Sequence, residues 1–342
     1  MSRVLRKGQV KNPKENISVL TYKIKHYTDL SVELEAARNI ANYAINAKTT
    51  KDLSTKFVKQ FGLPSEISNQ IMRKYGNNKE TKAVKHAVLV APSRVIDFDL
   101  KTKIATIECS NFKLSVQTFF GNNVTAIKSA EISEDYIHFQ CSINNTIPQV
   151  TSGFLGIDRN ATGFLAVCAD SANGSVLKLG KKADHIRKKF KKKRSALQKN
   201  KKFNHLKKIA HREAKIMRDM NHKMSKQIVL CAVRNNVSIK MENLKGISKK
   251  LIAKQFGANY NAMLSNWTFY ELESFVKYKA RLYGVKVYYV NPYMTSQDCA
   301  RCGAVGSRKG KTFKCSKCQH SDHADVNAAF NIAARQSTDQ IV

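Results

Sequence analysis

The sequence contains no apolar run that approaches the roughly 20 residues of a membrane-spanning helix. Its first segment, Met1–Lys7, is too short and too highly charged to contain the apolar core of a secretory signal. No repeat period is visible, and low-complexity sequence is confined to one lysine-rich run. These absences exclude the membrane-spanning and secreted classes, so we expect a soluble intracellular protein that has no membrane partner.

Acidic residues are also scarce. Asp and Glu total 25 against 60 Lys and Arg, which gives a formal net charge of +35 at pH 7. A globular protein with this balance typically binds an anionic polymer, because neutralising phosphates releases their counterions. Ribosomal and membrane-surface proteins can be equally basic, but the charge together with the motifs below favours nucleic acid. The 342 residues are 42% hydrophobic, which is enough for a core and for two or three domains.

Four of the eight cysteines form two CxxC pairs that are separated by twelve residues. This spacing is typical of a zinc ribbon, in which four thiolates bind one Zn²⁺ tetrahedrally and fold a segment too small for its own core. A redox pair or an iron–sulfur site is the alternative, but a redox pair needs only one CxxC. Because four ligands leave no open position, we expect structural zinc. The expected ligands are Cys299, Cys302, Cys315 and Cys318.

Three isolated carboxylates stand at the ends of predicted elements. Asp158 ends the strand-like run 154–158, Glu242 ends the run 237–242, and Asp325 opens a helix-like run after the ribbon. Two divalent ions about 4 Å apart can activate a water and stabilise the leaving oxygen of a phosphodiester, and Mg²⁺ prefers carboxylate oxygens. Ribonuclease H-like domains contain a strand meander followed by further strands and a helix. Their acids come from the first strand, a later strand and the last helix, which is the order of Asp158, Glu242 and Asp325 here. Each acid could instead be an ordinary surface residue, and Asp325 alone could be a helix N-cap, but the set favours a metal-dependent catalytic site.

A dense run of positive charge, Lys181–Arg194, continues with further Lys and Arg residues as far as Arg218. Apolar residues recur along it at helical spacing, which predicts one or two long helices docked on the protein. Charge of this density repels itself unless phosphates lie against it, so we interpret the run as a duplex-contacting helix. A solvated face or a targeting signal is the alternative. The proposed nucleic-acid-binding residues are Lys188, Lys189, Lys192, Lys193 and Arg194.

The first half of the chain has a different pattern. Residues 16–28 and several segments between 87 and 147 alternate in strand fashion with turn signals between them, which predicts a small β-barrel. Residues 31–86 instead carry apolar side chains at helical spacing and predict a helical insert. The expected fold class is therefore α/β multidomain, a β-barrel with an inserted helical lobe followed by a ribonuclease H-like domain that carries the ribbon.

In their order along the chain, these motifs are similar to those of the TnpB family, the transposon-encoded RNA-guided DNA nucleases that are related to type V CRISPR effectors. The matching stretches span roughly residues 153–333, and as an ordered set they are highly specific. They are Gly156–Asp158, His222–Val229, Met241–Gly246, Trp267–Leu272 with Tyr278–Ala280 and Gly284, Thr295–Gly303 and Ala324–Asn331.

The resemblance implies a RuvC-type endonuclease that hydrolyses phosphodiester bonds of a target DNA next to a short motif. Asp158, Glu242 and Asp325 would be its catalytic residues and would hold two Mg²⁺ ions, beside the one structural Zn²⁺. Its partners would be guide RNA and target DNA, its oligomeric state is expected to be monomeric, and its place of action is the prokaryotic cytoplasm or nucleoid. The implied division is a wedge-like β-barrel (1–30 and 87–150), a helical recognition insert (31–86), a RuvC-like nuclease domain (151–290 and 323–342) and a zinc ribbon (291–322).

Three alternatives remain at this point. A miniature type V CRISPR effector of the same lineage would differ in its genomic neighbourhood, which would contain a CRISPR array in place of a transposon end. A non-cleaving RNA-guided DNA-binding protein would have lost the acids, all three of which are present here. A DNA-strand-transfer transposase is disfavoured because no setting for a tyrosine nucleophile is recognisable.

Overall fold

The computed structural model describes residues 17–47, 53–76, 81–148, 150–160, 163–244 and 268–340. Of the motif residues, Trp267 and the last two residues of the stretch Met241–Gly246 lie outside the described ranges. The chain divides into two compact units, Met1–Asn145 and Thr146–Val342, and each is described by itself below.

The first unit contains two antiparallel sheets and a group of helices. Its four-stranded sheet has the order β1-β7-β6-β2, and its three-stranded meander has the order β3-β4-β5. The helices lie between β1 and β2 in the sequence, as the helical insert predicts. The strands are β1 (Ile17–Lys25), β2 (Leu89–Pro92), β3 (Ile96–Asp99), β4 (Ile104–Cys109), β5 (Phe112–Gln117), β6 (Val124–Ile132) and β7 (Tyr136–Asn144), and the helices are α1 (Ser31–Asn46), α2 (Thr55–Val58) and α3 (Ser65–Tyr75).

The described strands of this unit do not close into the barrel that their number and spacing suggest. They form two separate sheets, because β2 ends at Pro92, which has no amide hydrogen with which to continue a ladder. The 3₁₀ turn Ser93–Val95 then carries the chain from the first sheet into the second. The helices cover the sheet through a buried stripe at helical spacing on α1, formed by Ala37, Ile40 and Ala44.

The second unit is built on a six-stranded sheet with the order β10-β9-β8-β11-β12-β16. Its first three strands form an antiparallel meander, β8 pairs in parallel with β11 and β11 with β12, and β16 closes the edge antiparallel to β12. The strands are β8 (Gly153–Arg159), β9 (Ala166–Asp170), β10 (Val176–Leu179), β11 (Val237–Glu242), β12 (Val287–Val290) and β16 (Ser337–Gln340).

Helices cover both faces of this sheet. Leu155 and Ile157 of β8 share one apolar cluster with the helices that precede and follow β11, whereas Val167 and Ala169 of β9 pack with the last helix on the other face. The helices are α4 (Lys182–Lys199), α5 (Phe203–Arg234), α6 (Thr268–Leu282) and α7 (Ala324–Ala334). None of the described helices combines the length and the apolar composition needed to cross a bilayer.

The segment between β12 and α7 forms a small three-stranded antiparallel sheet, β13 (Ser307–Lys309), β14 (Thr312–Lys314) and β15 (Ser321–His323). Its core is Phe313, which is fully buried with Cys299, Cys315 and Ala324. Because β15 runs directly into α7 at Ala324, the position of this sheet determines where the first turn of α7 begins.

Candidate metal centres of the second unit

Two of the three predicted carboxylates share one end and one face of the sheet because of strand register. In the parallel pair β8–β11, Met241 lies opposite Ile157, so the next residues, Glu242 and Asp158, lie at the carboxyl ends of neighbouring strands. The alternation of a strand turns consecutive side chains to opposite faces. Asp158 and Glu242 therefore share the face opposite to Ile157.

The third carboxylate arrives on α7, whose first turn contains Asp325. This helix packs against β8 at Gly156, where a Cβ atom would lie 2.1 Å from the Ala329 carbonyl oxygen and 2.5 Å from the Ala333 amide nitrogen. Only glycine permits an approach this close, since the obstructing atoms are backbone. Gly156 thus brings the α7 backbone down onto the strand that carries Asp158, and Asp325 itself has no exposed surface.

The charges of Glu242 and Asp325 both act on Asp158. Burial first, and then the charges of Glu242 and Asp325, raise the pKa of Asp158 to about 7 against a hydrogen bond from Asn160. Burial likewise raises the pKa of Glu242, although the Thr295 hydroxyl donates to its Oε1 at 2.5 Å and opposes this effect. Buried carboxylates that act on one another repel unless a cation lies among them. The chemistry of these donors suits a hard divalent cation such as Mg²⁺, although within the described part of the chain only the four cysteines considered below already hold three or more ligand atoms close enough to share one ion.

Two cations from the small sheet contact Asp325. Arg308 Nη2 lies 3.1 Å from Oδ1, and Lys311 Nζ lies 2.7 Å from Oδ2. His323 Nδ1 stands 3.9 Å from the same Oδ2. Lys311 also lies 3.4 Å from Asn160 Oδ1, and the Asn160 amide donates to Asp158 Oδ2 at 2.8 Å. The small sheet therefore contributes positive charge directly to the carboxylate cluster.

A buried arginine supports the cluster from behind. The Arg159 side chain is 1% exposed, and its Nη1 donates to Glu273 of α6 at 2.5 Å. Its Nη2 donates at 2.7 Å to the backbone carbonyl of Glu242. The Tyr289 hydroxyl of β12 donates to the other oxygen of Glu273. This network ties α6 and β12 to the ends of β8 and β11, so it positions the backbone on which Asp158 and Glu242 lie.

The four predicted zinc ligands form a second cluster. The Sγ atoms of Cys299, Cys302, Cys315 and Cys318 all lie within 4.8 Å of one another. The Cys299–Cys318 and Cys302–Cys315 pairs are each 3.6 Å apart, far longer than a disulfide bond and close to the edge of about 3.8 Å in a tetrahedron with Zn–S bonds of about 2.3 Å. The Cys318 amide donates to Cys315 Sγ at 3.5 Å and lowers the pKa of that thiol, which favours the thiolate that binds metal. The cluster can hold a metal ion, and its all-sulfur donors suit zinc.

Two asparagines of α7 lock this cysteine loop to the helix. Asn327 accepts from the Ala300 amide at 2.9 Å and donates to the Asp298 carbonyl at 2.7 Å. Asn331, one turn later, donates to the Thr295 carbonyl at 2.8 Å and to that of Asp298 at 2.7 Å. Their spacing of four residues places both side chains on one face of the helix. The cysteine cluster is therefore linked by hydrogen bonds to α7, the helix that carries Asp325.

The predicted nucleic-acid-binding residues all lie on α4, which packs beside α5 and buries its Phe190. Arg194 is half-buried and forms an ion pair with Glu213 of α5, so it holds the two helices together. Lys188 pairs with Asp184 on its own helix at 2.8 Å. The remaining lysines are exposed, and they are Lys189, Lys192 and Lys193.

Sequence reasoning missed the residues that support the carboxylates. Arg159 and Asn160 follow Asp158 directly, and Thr295 opens the segment that leads into the first CxxC pair. The sequence does show that Arg159 directly follows the acid at the end of an apolar, strand-like run. An arginine in such a run needs a partner if it is buried, because Arg is rarely buried unpaired. Arg308 and Lys311 carried no such signal within a ribbon that is basic throughout.

Comparisons with known proteins agree with these motifs. A family model described as the TNB domain of Cas12f1-like proteins matches residues 269–332. The chain is 34% identical over 171 residues to a TnpB-like protein of Methanocaldococcus jannaschii, an alignment that covers 47% of this chain and 61% of that protein. It is 39% identical over 117 residues to the CRISPR-associated endodeoxyribonuclease Cas12f1 of Sulfoacidibacillus thermotolerans, covering 33% of this chain and 26% of that protein.

The chain thus covers less than two thirds of the length of these curated relatives. A solved complex of Cas12f1 with sgRNA and target DNA aligns with 93% of this chain and 99% of its own, at 18% identity and a TM-score of 0.46. The resemblance to TnpB-like proteins that the motifs indicate is confirmed by the sequence relatives and the family model.

Proposed function

We propose that this chain, which is TnpB-like in sequence, is an RNA-guided, Mg²⁺-dependent DNA endonuclease that hydrolyses phosphodiester bonds of a target DNA next to a short motif. The observation that supports the proposal is the placement of the three acids: Asp158 and Glu242 lie at the carboxyl ends of two adjacent parallel strands, and Asp325 lies in the first turn of the helix that packs on β8 at Gly156. The relatives of this chain include a protein named TnpB-like and a Cas12f1 endodeoxyribonuclease.

The strand order of the second unit supports a RuvC or ribonuclease H-like assignment. The sheet consists of a meander followed by two parallel strands, in the order β10-β9-β8-β11-β12. In a ribonuclease H-like domain, this arrangement directs carboxylates at the strand ends towards a carboxylate from the last helix. The proposed nuclease domain comprises residues 151–290 and 323–342, with the zinc ribbon of residues 291–322 inserted before α7. Residues 1–30 and 87–150, with the helical insert 31–86, would read the short DNA motif.

Each residue of the centre has a definable task. Asp158, Glu242 and Asp325 would supply carboxylate oxygens to two Mg²⁺ ions, which when bound activate a water and neutralise charge at the leaving oxygen. Asn160 and Thr295 orient Asp158 and Glu242 through their hydrogen bonds. The reaction would leave a 5′-phosphate and a 3′-hydroxyl.

Two further tasks fall outside the carboxylate centre. Zn²⁺ would be held by Cys299, Cys302, Cys315 and Cys318 and would stabilise the ribbon that positions α7. Exposed lysines of α4, Lys189, Lys192 and Lys193, would contact the phosphates of guide RNA or of the RNA–DNA heteroduplex. In such systems base pairing carries the sequence specificity and the protein recognises duplex shape. The complex would act as a monomer.

A second candidate function is that of a miniature type V CRISPR effector. The similarity of residues 269–332 to the TNB domain of Cas12f1-like proteins favours it over unrelated nucleases. The two candidates share the chemistry and differ in the source of the guide, which would be transcribed from a CRISPR array or from a transposon end.

Sequencing the RNA that copurifies with the protein tests the proposal. We expect one dominant RNA species with a constant scaffold and a variable guide segment. A DNA that matches the guide segment, flanked by randomised sequence, should then be cut in Mg²⁺ only where particular flanking bases are present. Bulk cellular RNA without a dominant species, or matched DNA left intact with every flank, would contradict the proposal.

A further inference from the structure

Lys311 contacts two residues of the proposed carboxylate centre, Asp325 and Asn160. Its ammonium nitrogen lies 2.7 Å from Asp325 Oδ2 and 3.4 Å from Asn160 Oδ1. Asn160 in turn donates to Asp158 Oδ2 at 2.8 Å. The ammonium group therefore bridges Asp325 and the amide that holds Asp158, as a compact point charge with three donors.

A divalent ion in the proposed centre would need the same carboxylate. Asp325 is fully buried and offers two oxygens, of which Arg308 contacts Oδ1 and Lys311 contacts Oδ2. A metal ion at Oδ2 would place a dication and an ammonium group on one oxygen, where they repel each other. Binding of the metal ion at this oxygen therefore requires Lys311 to leave it.

The side chain of Lys311 can move away from Asp325. It lies between β13 and β14, directly after Gly310, whose φ of +62° makes the tight turn. The Lys311 side chain is 39% exposed, whereas the Asp325 side chain is 0% exposed. A flexible four-carbon stem can swing towards solvent while the carboxylate stays fixed on α7.

We propose that Lys311 is a tethered cation that competes with the catalytic metal for Asp325 and so sets the metal concentration that the centre requires. This inference rests on the proposed function, since it takes Asp158, Glu242 and Asp325 as the metal ligands. Lys311 is a positioning residue here: while it is on Asp325, it neutralises the buried carboxylate and preserves the cluster.

The test is the affinity of the full-length protein, with its copurified RNA, for Mn²⁺ followed by electron paramagnetic resonance. An Asp158→Asn variant titrated in parallel provides the background from RNA phosphates, and only the difference is assigned to the centre. The variants are Lys311→Met, Lys311→Arg and Lys309→Met. Lys309 lies on the same hairpin and is exposed, and it makes no ion pair within the described ranges, so it is a charge-matched control.

We expect Lys311→Met to bind Mn²⁺ about five- to tenfold more tightly than wild type, because one competing charge is removed from a partly solvated site. Lys311→Arg, which keeps the charge, and Lys309→Met should both stay within about twofold of wild type. The melting temperature measured without metal should fall in Lys311→Met, and its rise on adding Mn²⁺ should exceed that of wild type.

An Asp158-dependent Mn²⁺ affinity in Lys311→Met equal to or weaker than that of wild type would overturn the inference and leave the proposed nuclease centre standing. No Asp158-dependent binding in either protein would overturn the metal centre itself, and the inference with it. Equal tightening in Lys309→Met would assign the effect to net charge and would also overturn the inference.

Discussion

Replacement of Gly156 by Ala should displace the helix that carries Asp325. The added Cβ would lie 2.1 Å from the Ala329 carbonyl oxygen, 2.5 Å from the Ala333 amide nitrogen and 3.0 Å from the Ala333 Cα. Ordinary contact begins at 3.4 Å, so α7 must move away from β8 by about 1.3 Å, which is 3.4 minus 2.1. No rotamer change can relieve the clash, because every obstructing atom belongs to the backbone.

The expected consequences follow from this displacement. Overpacking of this kind costs about 1–3 kcal/mol, which for a unit of this size lowers the melting temperature by roughly 3–10 °C. Misplacement of a reacting group by about 1 Å can reduce a catalysed rate by about 100-fold. Guide RNA should still copurify, because the change lies inside the sheet and away from the basic helices.

The assay measures thermal unfolding and Mg²⁺-dependent cleavage of matched DNA for Gly156→Ala and for Gly153→Ala. Gly153 lies on the same strand, and a Cβ there would lie 3.0 Å from Ala172 Cβ, so a shift of only about 0.4 Å, which is 3.4 minus 3.0, would relieve the contact. The control should lose less than about 1 kcal/mol and retain near wild-type cleavage. If Gly156→Ala unfolds and cleaves like its control, the close packing of α7 does not position Asp325 and the reasoning is refuted.

Three further predictions concern the ribbon and the basic helix. Cys315→Ser should reduce the zinc content from about one ion per chain and lower cleavage, as metal analysis and the matched-DNA assay would measure; full zinc occupancy would contradict the ligand assignment. Asn327→Ala should cost about 1–3 kcal/mol, because it leaves the Ala300 amide and the Asp298 carbonyl unpaired, while zinc content stays unchanged; an unaltered melting temperature would refute the coupling. The double variant Lys192→Ala with Lys193→Ala should bind RNA with a weaker salt dependence. The slope of the logarithm of the binding constant against the logarithm of the salt concentration should fall by about one unit for each phosphate that is no longer neutralised. An unchanged slope would mean that the nucleic acid binds elsewhere.

Much of the second unit could be predicted from sequence because its signals are local. The two CxxC pairs have a spacing that few structures other than a metal knuckle satisfy, and the structure places all four Sγ atoms together. Strand-like runs that end in Asp158 and Glu242 were recognisable from their apolar patterns. Their convergence depended on parallel register, which follows from the order of strands and helices along the chain.

The first unit was harder to predict, and β6 shows why. Its apolar residues Val124, Ile127, Ala130 and Ile132 are spaced by three, three and two positions, which is neither the period of a strand nor that of a helix. The structure explains the irregular spacing by two bulges in the β6–β7 ladder. Each bulge inserts an unpaired residue and shifts the alternation, so the apolar residues of β6 keep no regular period.

Other elements carried no sequence signal at all. Strand β16 has the sequence Ser337-Thr-Asp-Gln340 and contains no apolar residue, yet it pairs with the edge of β12. Its pairing depends on an available edge, which is a property of the assembled sheet. Thr295 and Lys311 likewise gain their roles only through tertiary contacts with Glu242 and Asp325.

The central claim is that three carboxylates form a metal-dependent nuclease centre, and cleavage by strand-end variants tests it most directly. Wild type, Asp158→Asn and Glu242→Gln would be purified with their RNA and incubated with guide-matched DNA in Mg²⁺. We expect wild type to cut and to leave 5′-phosphate ends, while both variants bind the same DNA with near wild-type affinity and cut less than about 1% as fast. Cleavage by Asp158→Asn at a rate close to that of wild type would contradict the account.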